Sequence, residues 1–337
     1  MANERVVVVG AGSISNAWFP PLLAEGVTVA GVVDLNLDNA RSQIDKYALG
    51  CHASANLSST LRRTKPDFVL DLTIPAAHCN VTCKALRAGY PVIGEKPMAD
   101  SMSQARRMVA TADKSGKLYM VSQSRRWDAN HALTRQIIAG GAIGQVAAMN
   151  CDFYIGAHFG GFRDAMPSPL ILDMAIHQFD LARYLSGSDP LAVYAKEFNP
   201  AGSWYAGAAA ASCIFEMTGG VVFTFRGSWC AEGCHTSWNG DWRIIGERGT
   251  MLMEKDQPPR GQVVAGSEGF HRPLADVPVP PPSLQFAGMH GSLREMLEYL
   301  RTGAKPQTEC HDNIKSLAMV FAAIDSAKKG RRVEIRA

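Results

Sequence analysis

No apolar run in this 337-residue sequence is long enough to cross a bilayer, so nothing indicates a membrane-embedded function. Long basic runs and arrays of interleaved basic and aromatic residues are also absent. The 34 Lys and Arg and 31 Asp and Glu are spread along the chain for a net +3, which gives no electrostatic footprint for nucleic acid as a partner. The eight cysteines, at 51, 79, 83, 151, 213, 230, 234 and 310, include no Cys-x-x-Cys pair and no dense disulfide framework. Cys79 with Cys83 and Cys230 with Cys234 are four apart, but no clustered His or Cys completes a ligand set, so no metal is expected. The opening "MANERVVVVG" lacks the basic segment and longer apolar run of a signal peptide. Reduced thiols and a cytoplasmic location are therefore expected.

What is present is an ordinary globular composition, 47% hydrophobic and 19% charged, in a chain longer than a single core usually grows. Up to about residue 124 the pattern alternates. Short Val- and Ile-rich runs such as "RVVVVG", "VTVAGVVD", "FVLDLTI" and "PVIGEKP" are separated by helical patterns such as "LDNARSQIDKYAL" and "AAHCNVTCKALRAG". Continuous apolar strands between amphipathic helices indicate a parallel sheet covered on both faces, a doubly wound α/β domain. Pro20 and Pro21, inside the first helical pattern, are expected to kink or shorten that helix. After a helix near 128–139 the pattern changes. "QVAAMNCDFYIG", "LAVYAKEF", "AAASCIFEM", "VVFTFRGSW", "DWRIIGE" and "TMLMEK" are strands joined mostly without helices, indicating a large, mostly antiparallel sheet. A helix at 170–185 interrupts this series, and helical patterns at about 288–302 and 311–329 follow the Pro-rich "PLADVPVPPPSL". The expected domains are thus 1–124 and 125–337.

Gly10 and Gly12 in "VVVVGAGSIS" follow a strand and precede a helical pattern. The first permits a tight turn, and the second lets backbone approach a pyrophosphate at a helix N-terminus. The third fingerprint position is Ser15 instead of glycine, so the match is incomplete. Asp34 ends the second strand, 22 positions after Gly12, where a carboxylate accepts hydrogen bonds from ribose hydroxyls and repels a 2′-phosphate. NAD is accordingly favoured over NADP.

"LILDMAIHQFDLARYL" carries Asp173, His177, Asp180 and Tyr184 among apolar residues. On an ideal helix these four fall within roughly 60° of one another, a narrow polar stripe on a mostly buried helix. Such a stripe is compatible with a solvated edge or with polar groups bonded to one another; spacing alone does not make it a site.

Gly10, Gly12 and Asp34, the strand-ending Glu95-Lys96-Pro97 of "GYPVIGEKP" and the Asp-x-x-x-His helix together resemble the Gfo/Idh/MocA oxidoreductases, named for glucose-fructose oxidoreductase and inositol dehydrogenase. The resemblance extends through "IIAGGAIGQV", "WRIIGERGTM" and "SAKKGRRVEI". It implies a Rossmann domain at 1–124 and, at 125–337, a substrate-binding domain whose open sheet often forms dimers or tetramers. It carries the catalytic lysine onto Lys96 and the helix aspartate and histidine onto Asp173 and His177. Cofactor contacts carry onto Gly10, Gly12, Ser13, Ile14, Asp34, Thr73, Ile74, Pro75, His78, Glu95 and Lys96. Arg126, Tyr154 and Trp229 are candidate substrate-wall residues. "MPSPLILD" stands where many relatives have a glycine-rich entry to the catalytic helix, which alters the pocket wall. The implied reaction is oxidation of a secondary hydroxyl of a sugar, cyclic polyol or related carbohydrate. NAD-dependent glycosidases and non-catalytic nucleotide-responsive regulators are the alternatives, the latter disfavoured by the presence of Lys96, Asp173 and His177.

Overall fold

The computed structural model describes residues 4–337. By its contacts the chain divides into two units. The first comprises the residues up to Ser124 together with Phe286–Leu317, and the second comprises Arg125–Gln285 and Ala318–Arg336. Residues 286–317 thus pack with the first unit, where an uninterrupted second domain from 125 was expected.

In the first unit, β1 (Arg5–Val9), β2 (Thr28–Val33), β3 (Ala53–Ser54), β4 (Phe68–Asp71), β5 (Val92–Glu95) and β6 (Tyr119–Ser122) form one sheet in the order β3-β2-β1-β4-β5-β6. Every pairing is parallel. That order belongs to the doubly wound dinucleotide-binding fold, whose switch point lies here between β1 and β4. The connecting helices are α1 (Ser15–Ala24), α2 (Leu37–Lys46), α3 (Leu57–Thr64), α4 (Pro75–Arg87) and α5 (Met102–Ser115). Local chemistry sets their starts. The side chains of Asn36, Asn56 and Ser101 accept from the backbone N–H of Asp38, Ser59 and Gln104, satisfying donors that a helix leaves orphaned.

Helix α1 carries both Pro20 and Pro21 and continues to Ala24. Pro20 cannot donate to the Asn16 carbonyl one turn earlier, and the Tyr47 hydroxyl donates to that oxygen instead, at 3.3 Å. Helix α8 (Gly288–Thr302) contributes Leu293, Met296 and Leu297 to the core that holds Trp18, Phe19 and Leu22 of α1. Glu25 accepts from His290 at 2.7 Å and from Arg294 at 2.8 Å across the same contact.

The second unit has a nine-stranded sheet, order β14-β13-β12-β11-β7-β10-β9-β8-β15. The strands are β7 (Val146–Tyr154), β8 (Pro190–Phe198), β9 (Ala210–Met217), β10 (Val222–Ser228), β11 (Asp241–Gly246), β12 (Gly249–Met253), β13 (Arg260–Val264), β14 (Leu274–Asp276) and β15 (Val333–Glu334). Only β7 with β10 is parallel; the other pairs are antiparallel. The unit also holds α6 (Ala129–Ala139), capped by the Asp128 side chain, and α7 (Ile176–Ser186), closed by Gly187 in the left-handed conformation. Helix α9 (Cys310–Lys329) begins in the first unit and ends in the second.

Strand alternation gives the sheet two unlike faces. Phe215, Phe223 and Phe225 point to one, where Phe179 of α7 meets them with ring centroids 4.7, 6.3 and 5.4 Å away. Burying a ring of this size contributes about 1.5–3 kcal/mol, so Phe179 anchors the helix that bears His177. Tyr194, Ile214 and Val222 are exposed on the other face.

Candidate active site

The cofactor half is assembled at the ends of β1, β2 and β4 in the first unit. Gly10 has φ +96°, and a Cβ there would lie 2.6 Å from the Leu72 carbonyl oxygen, so only glycine fits where the turn crosses β4. Gly12 has nothing within 4 Å of its would-be Cβ. A cavity of about 730 Å³ opens there, lined by Gly10, Gly12, Asp34, Leu35, Thr73 and Ile74, with Arg62, Asn80 and Lys84 adding polar groups. Ser15 is buried and donates its hydroxyl to the Gly12 carbonyl at 2.6 Å, so the departure from glycine adds a hydrogen bond within the turn.

Asp34 accepts from the Ala11 backbone N–H through Oδ2 and from the Asn36 N–H through Oδ1, both at 2.8 Å. The carboxylate is thereby fixed at the cavity wall with lone pairs left for ribose hydroxyls. A glycine-floored cavity, a strand-ending carboxylate and a helix N-terminus at the switch point are the parts a dinucleotide requires, and the residues fit NAD.

The second wall is held by a carboxylate not singled out from sequence. Asp71, at the end of β4, is fully buried. It accepts from the Thr73 N–H and hydroxyl, at 3.1 and 2.6 Å, from the Thr82 hydroxyl at 2.9 Å, and stands 3.1 Å from His78 Nδ1. Burial alone would lower the His78 imidazole, but the facing Asp71 carboxylate, with Glu95 behind it, outweighs burial and holds it above its ordinary value. Thr73, Ile74 and Pro75 therefore enter α4 from a locked turn. Its signal in sequence is the same as that of Asp34, a lone acid closing a Val/Leu strand.

Glu95 is buried at the end of β5. It accepts from the Trp18 indole N–H at 2.7 Å and from the Lys96 backbone N–H at 3.1 Å. Burial pushes its carboxyl upward, while the Trp18 bond and the Lys96 charge pull the other way. Trp18 and Glu95 thus fix the backbone from which Lys96 projects. Ser13 and Ile14 form the turn into α1, whose first residue is Ser15.

In the second unit the stripe splits into two structural parts. Leu170–Ala175 is a π-helical turn that leads directly into α7, a wider coil often found where function demands a reoriented side chain. Asp173 sits in that turn and His177 in the first turn of α7. The ideal 100° spacing consequently does not hold through the segment. Asp180 and Tyr184 lie further along the helix. Asp180 receives a bidentate pair from Arg126, Nε–Oδ2 2.8 Å and Nη2–Oδ1 2.7 Å, with Arg183 at 3.8 Å. The Arg126 guanidinium also stands 5.5 Å from the Tyr184 ring centre.

The three candidate wall residues stand in different surroundings within the second unit. Arg126 is buried and its guanidinium is engaged by Asp180. Trp229 is buried, stacked on Tyr205 at 6.0 Å and met edge-on by Phe159 at 5.3 Å. Tyr154 alternates with Phe153 and shares the Asp152 side of β7, the sheet face opposite Phe179. One partner of Asp173 went unnoticed in the sequence: Arg163, whose Nε donates to Asp173 Oδ2 at 2.6 Å.

Outside the cavity, Glu309, Cys310 and His311 bring one ligand atom each within 4.8 Å of one another. Glu309 is already shared between Lys305 at 2.9 Å and His311 at 2.8 Å, and burial with the Glu309 charge pushes the Cys310 thiol up to about 12.

Residues 4–123 match the oxidoreductase family with the NAD-binding Rossmann fold, and residues 131–252 match the GFO/IDH/MocA C-terminal domain. The chain belongs to the Gfo/Idh/MocA family. Among family relatives, an uncharacterized protein, y4oX, of Sinorhizobium fredii is 27% identical over 98% of this chain and 96% of its own length. The D-apiose dehydrogenase of Paraburkholderia graminis is 26% identical over 93% of this chain and 84% of its own. A crystal structure of an oxidoreductase from Agrobacterium radiobacter, in complex with NAD+, L-tartaric acid and magnesium, superposes with a TM-score of 0.87 at 21% identity, covering 99% of this chain and 98% of that one. As a Gfo/Idh/MocA protein the chain is an oxidoreductase with an NAD-binding Rossmann domain, and its second sheet fits the family's C-terminal domain.

Proposed function

We propose that this protein oxidises a secondary hydroxyl of a sugar or cyclic polyol, with NAD as the hydride acceptor. The observation that carries the reading is the placing of Asp173 and His177 at the junction of the π turn and α7, a helix anchored by Phe179. Bound NAD supplies the electrophilic ring carbon that takes up the hydride. His177, in its neutral form, accepts the hydroxyl proton at a ring nitrogen. Lys96 donates to the oxygen on which negative charge develops, and Asp173 binds a neighbouring hydroxyl and favours the imidazolium. The dehydrogenase name of the D-apiose relative supports the substrate class.

The test is NADH absorbance during a screen of inositols, aldoses, sugar acids and aryl glycosides. Net NADH from at least one polyol or sugar is expected, with NAD preferred over NADP because Asp34 would face the 2′-phosphate. Glycoside cleavage without net NADH would overturn the dehydrogenase reading.

The same reading includes a homo-oligomer, a dimer or tetramer, seated on the sheet face that exposes Tyr194, Ile214 and Val222. Sedimentation should give at least twice the monomer mass; a monomer across a wide concentration range would sink the assembly.

A further inference from the structure

The segment that follows β7 places one cation against Asp173 by a route the reaction scheme does not use. Gly160 and Gly161, at φ +69° and +67°, turn the chain through two left-handed steps, and Gly161–Arg163 then form a single 3-10 turn. The turn brings the Arg163 guanidinium 5.0 Å from the Phe159 ring centre and 4.8 Å from that of Phe162. The two rings are 47% and 69% exposed. Such large apolar groups are normally buried; here Phe159 meets buried Trp229 and, with Phe162, also flanks a charge.

Contacts of a guanidinium with ring faces use none of the oxygen acceptors that its N–H groups can also take. Of those groups, Nε is used by Asp173 at 2.6 Å, while the two terminal amino groups donate to no described residue. The side chain is one-third exposed, so a small ligand has access to them.

We infer that Arg163 is a specificity-determining residue that reads a carboxylate on the substrate, making a polyhydroxy acid the preferred substrate class. The inference rests on the proposed role of Asp173 in holding a substrate hydroxyl. A group within reach of the Arg163 terminal amino groups then lies only a few bonds from that hydroxyl. A planar, singly charged carboxylate matches the guanidinium fork between two rings. A doubly charged phosphate would bring a second negative charge against the Asp173 carboxylate.

The experiment compares matched pairs, D-gluconate and D-galacturonate against D-glucose and D-galactose, by NADH formation and by calorimetric binding to the NADH complex. The parent should favour the acids, and Arg163→Met should cut their kcat/KM by roughly 10- to 100-fold, chiefly through KM, the scale of one lost charged hydrogen-bond set. Neutral sugars should change by no more than a few-fold, the dissociation constant for NADH should stay the same, and Arg163→Lys should recover part of the loss. A melting curve near the parent's confirms that the variants are folded. Equal losses for acids and neutral sugars would reduce Arg163 to a holder of Asp173 and overturn the inference. So would weakened NADH binding in Arg163→Met, or neutral sugars preferred by the parent. If no compound yields NADH, the dehydrogenase reading fails on its own. Calorimetry still decides the carboxylate site: binding of an acid that Arg163→Met loses supports it, and no binding of either acid overturns it.

Discussion

Replacing His177 with Asn should lower turnover by roughly 100-fold or more, the usual scale for a positioned acid-base group, and leave NAD binding intact. The nearly isosteric amide keeps a hydrogen-bonding edge at the start of α7 but cannot take up a proton at neutral pH. The parent's oxidation rate should rise with pH as His177 loses its proton, because only the neutral ring accepts one from substrate. In the Asn variant that limb should flatten. Stopped-flow turnover at saturating substrate, with NAD affinity measured separately, separates this outcome from a folding defect. A variant with near-parent turnover and the same pH profile would move the base assignment to Lys96.

The largest stability effect should come from Asp180→Ala. Asp180 and Arg126 form a bidentate pair in which both side chains are almost wholly buried, 2% and 5% exposed. Breaking such a pair from one side costs about 3–5 kcal/mol, because a buried charge loses its main counter-charge. Urea denaturation of the second unit's signal should register that loss. The double variant Arg126→Met/Asp180→Leu should recover most of it, since the pair's desolvation disappears together with its attraction. A single variant within 1 kcal/mol of the parent would mean that water reaches the site on opening and screens the exposed guanidinium.

Much of this architecture was legible because strands buried on both faces leave continuous Val and Ile runs, as in Val6–Val9, and because Gly10 and Asp34 close such runs with residues chosen for conformation or charge. What escaped did so for physical reasons. Helix α3, with the sequence LSSTLRRT, is only eight residues, and two of the four residues on its buried face are threonines, so it carries too few apolar side chains to stand out. Strands β13 and β14 are largely exposed edge pieces, and "LAD" offers no alternation to detect. The π turn was missed because a 3.6-residue period was assumed where the coil is wider. Arg163 and Asp173 meet through a glycine-built turn that no periodicity encodes. The Arg126 pair with Asp180 was not legible because sequence shows a charge without showing its partner.

The return of Phe286–Leu317 to the first unit has a consequence for inheritance. A cofactor domain contained in residues up to 124 could be exchanged between proteins as a single cassette. Here that cassette would leave behind Leu293, Met296 and Leu297, and Glu25 would lose both His290 and Arg294. The chain passes between units at 124/125, 285/286 and 317/318, the last within the continuous helix α9. A single crossover at residue 124 therefore separates α1 from the helix that completes its core.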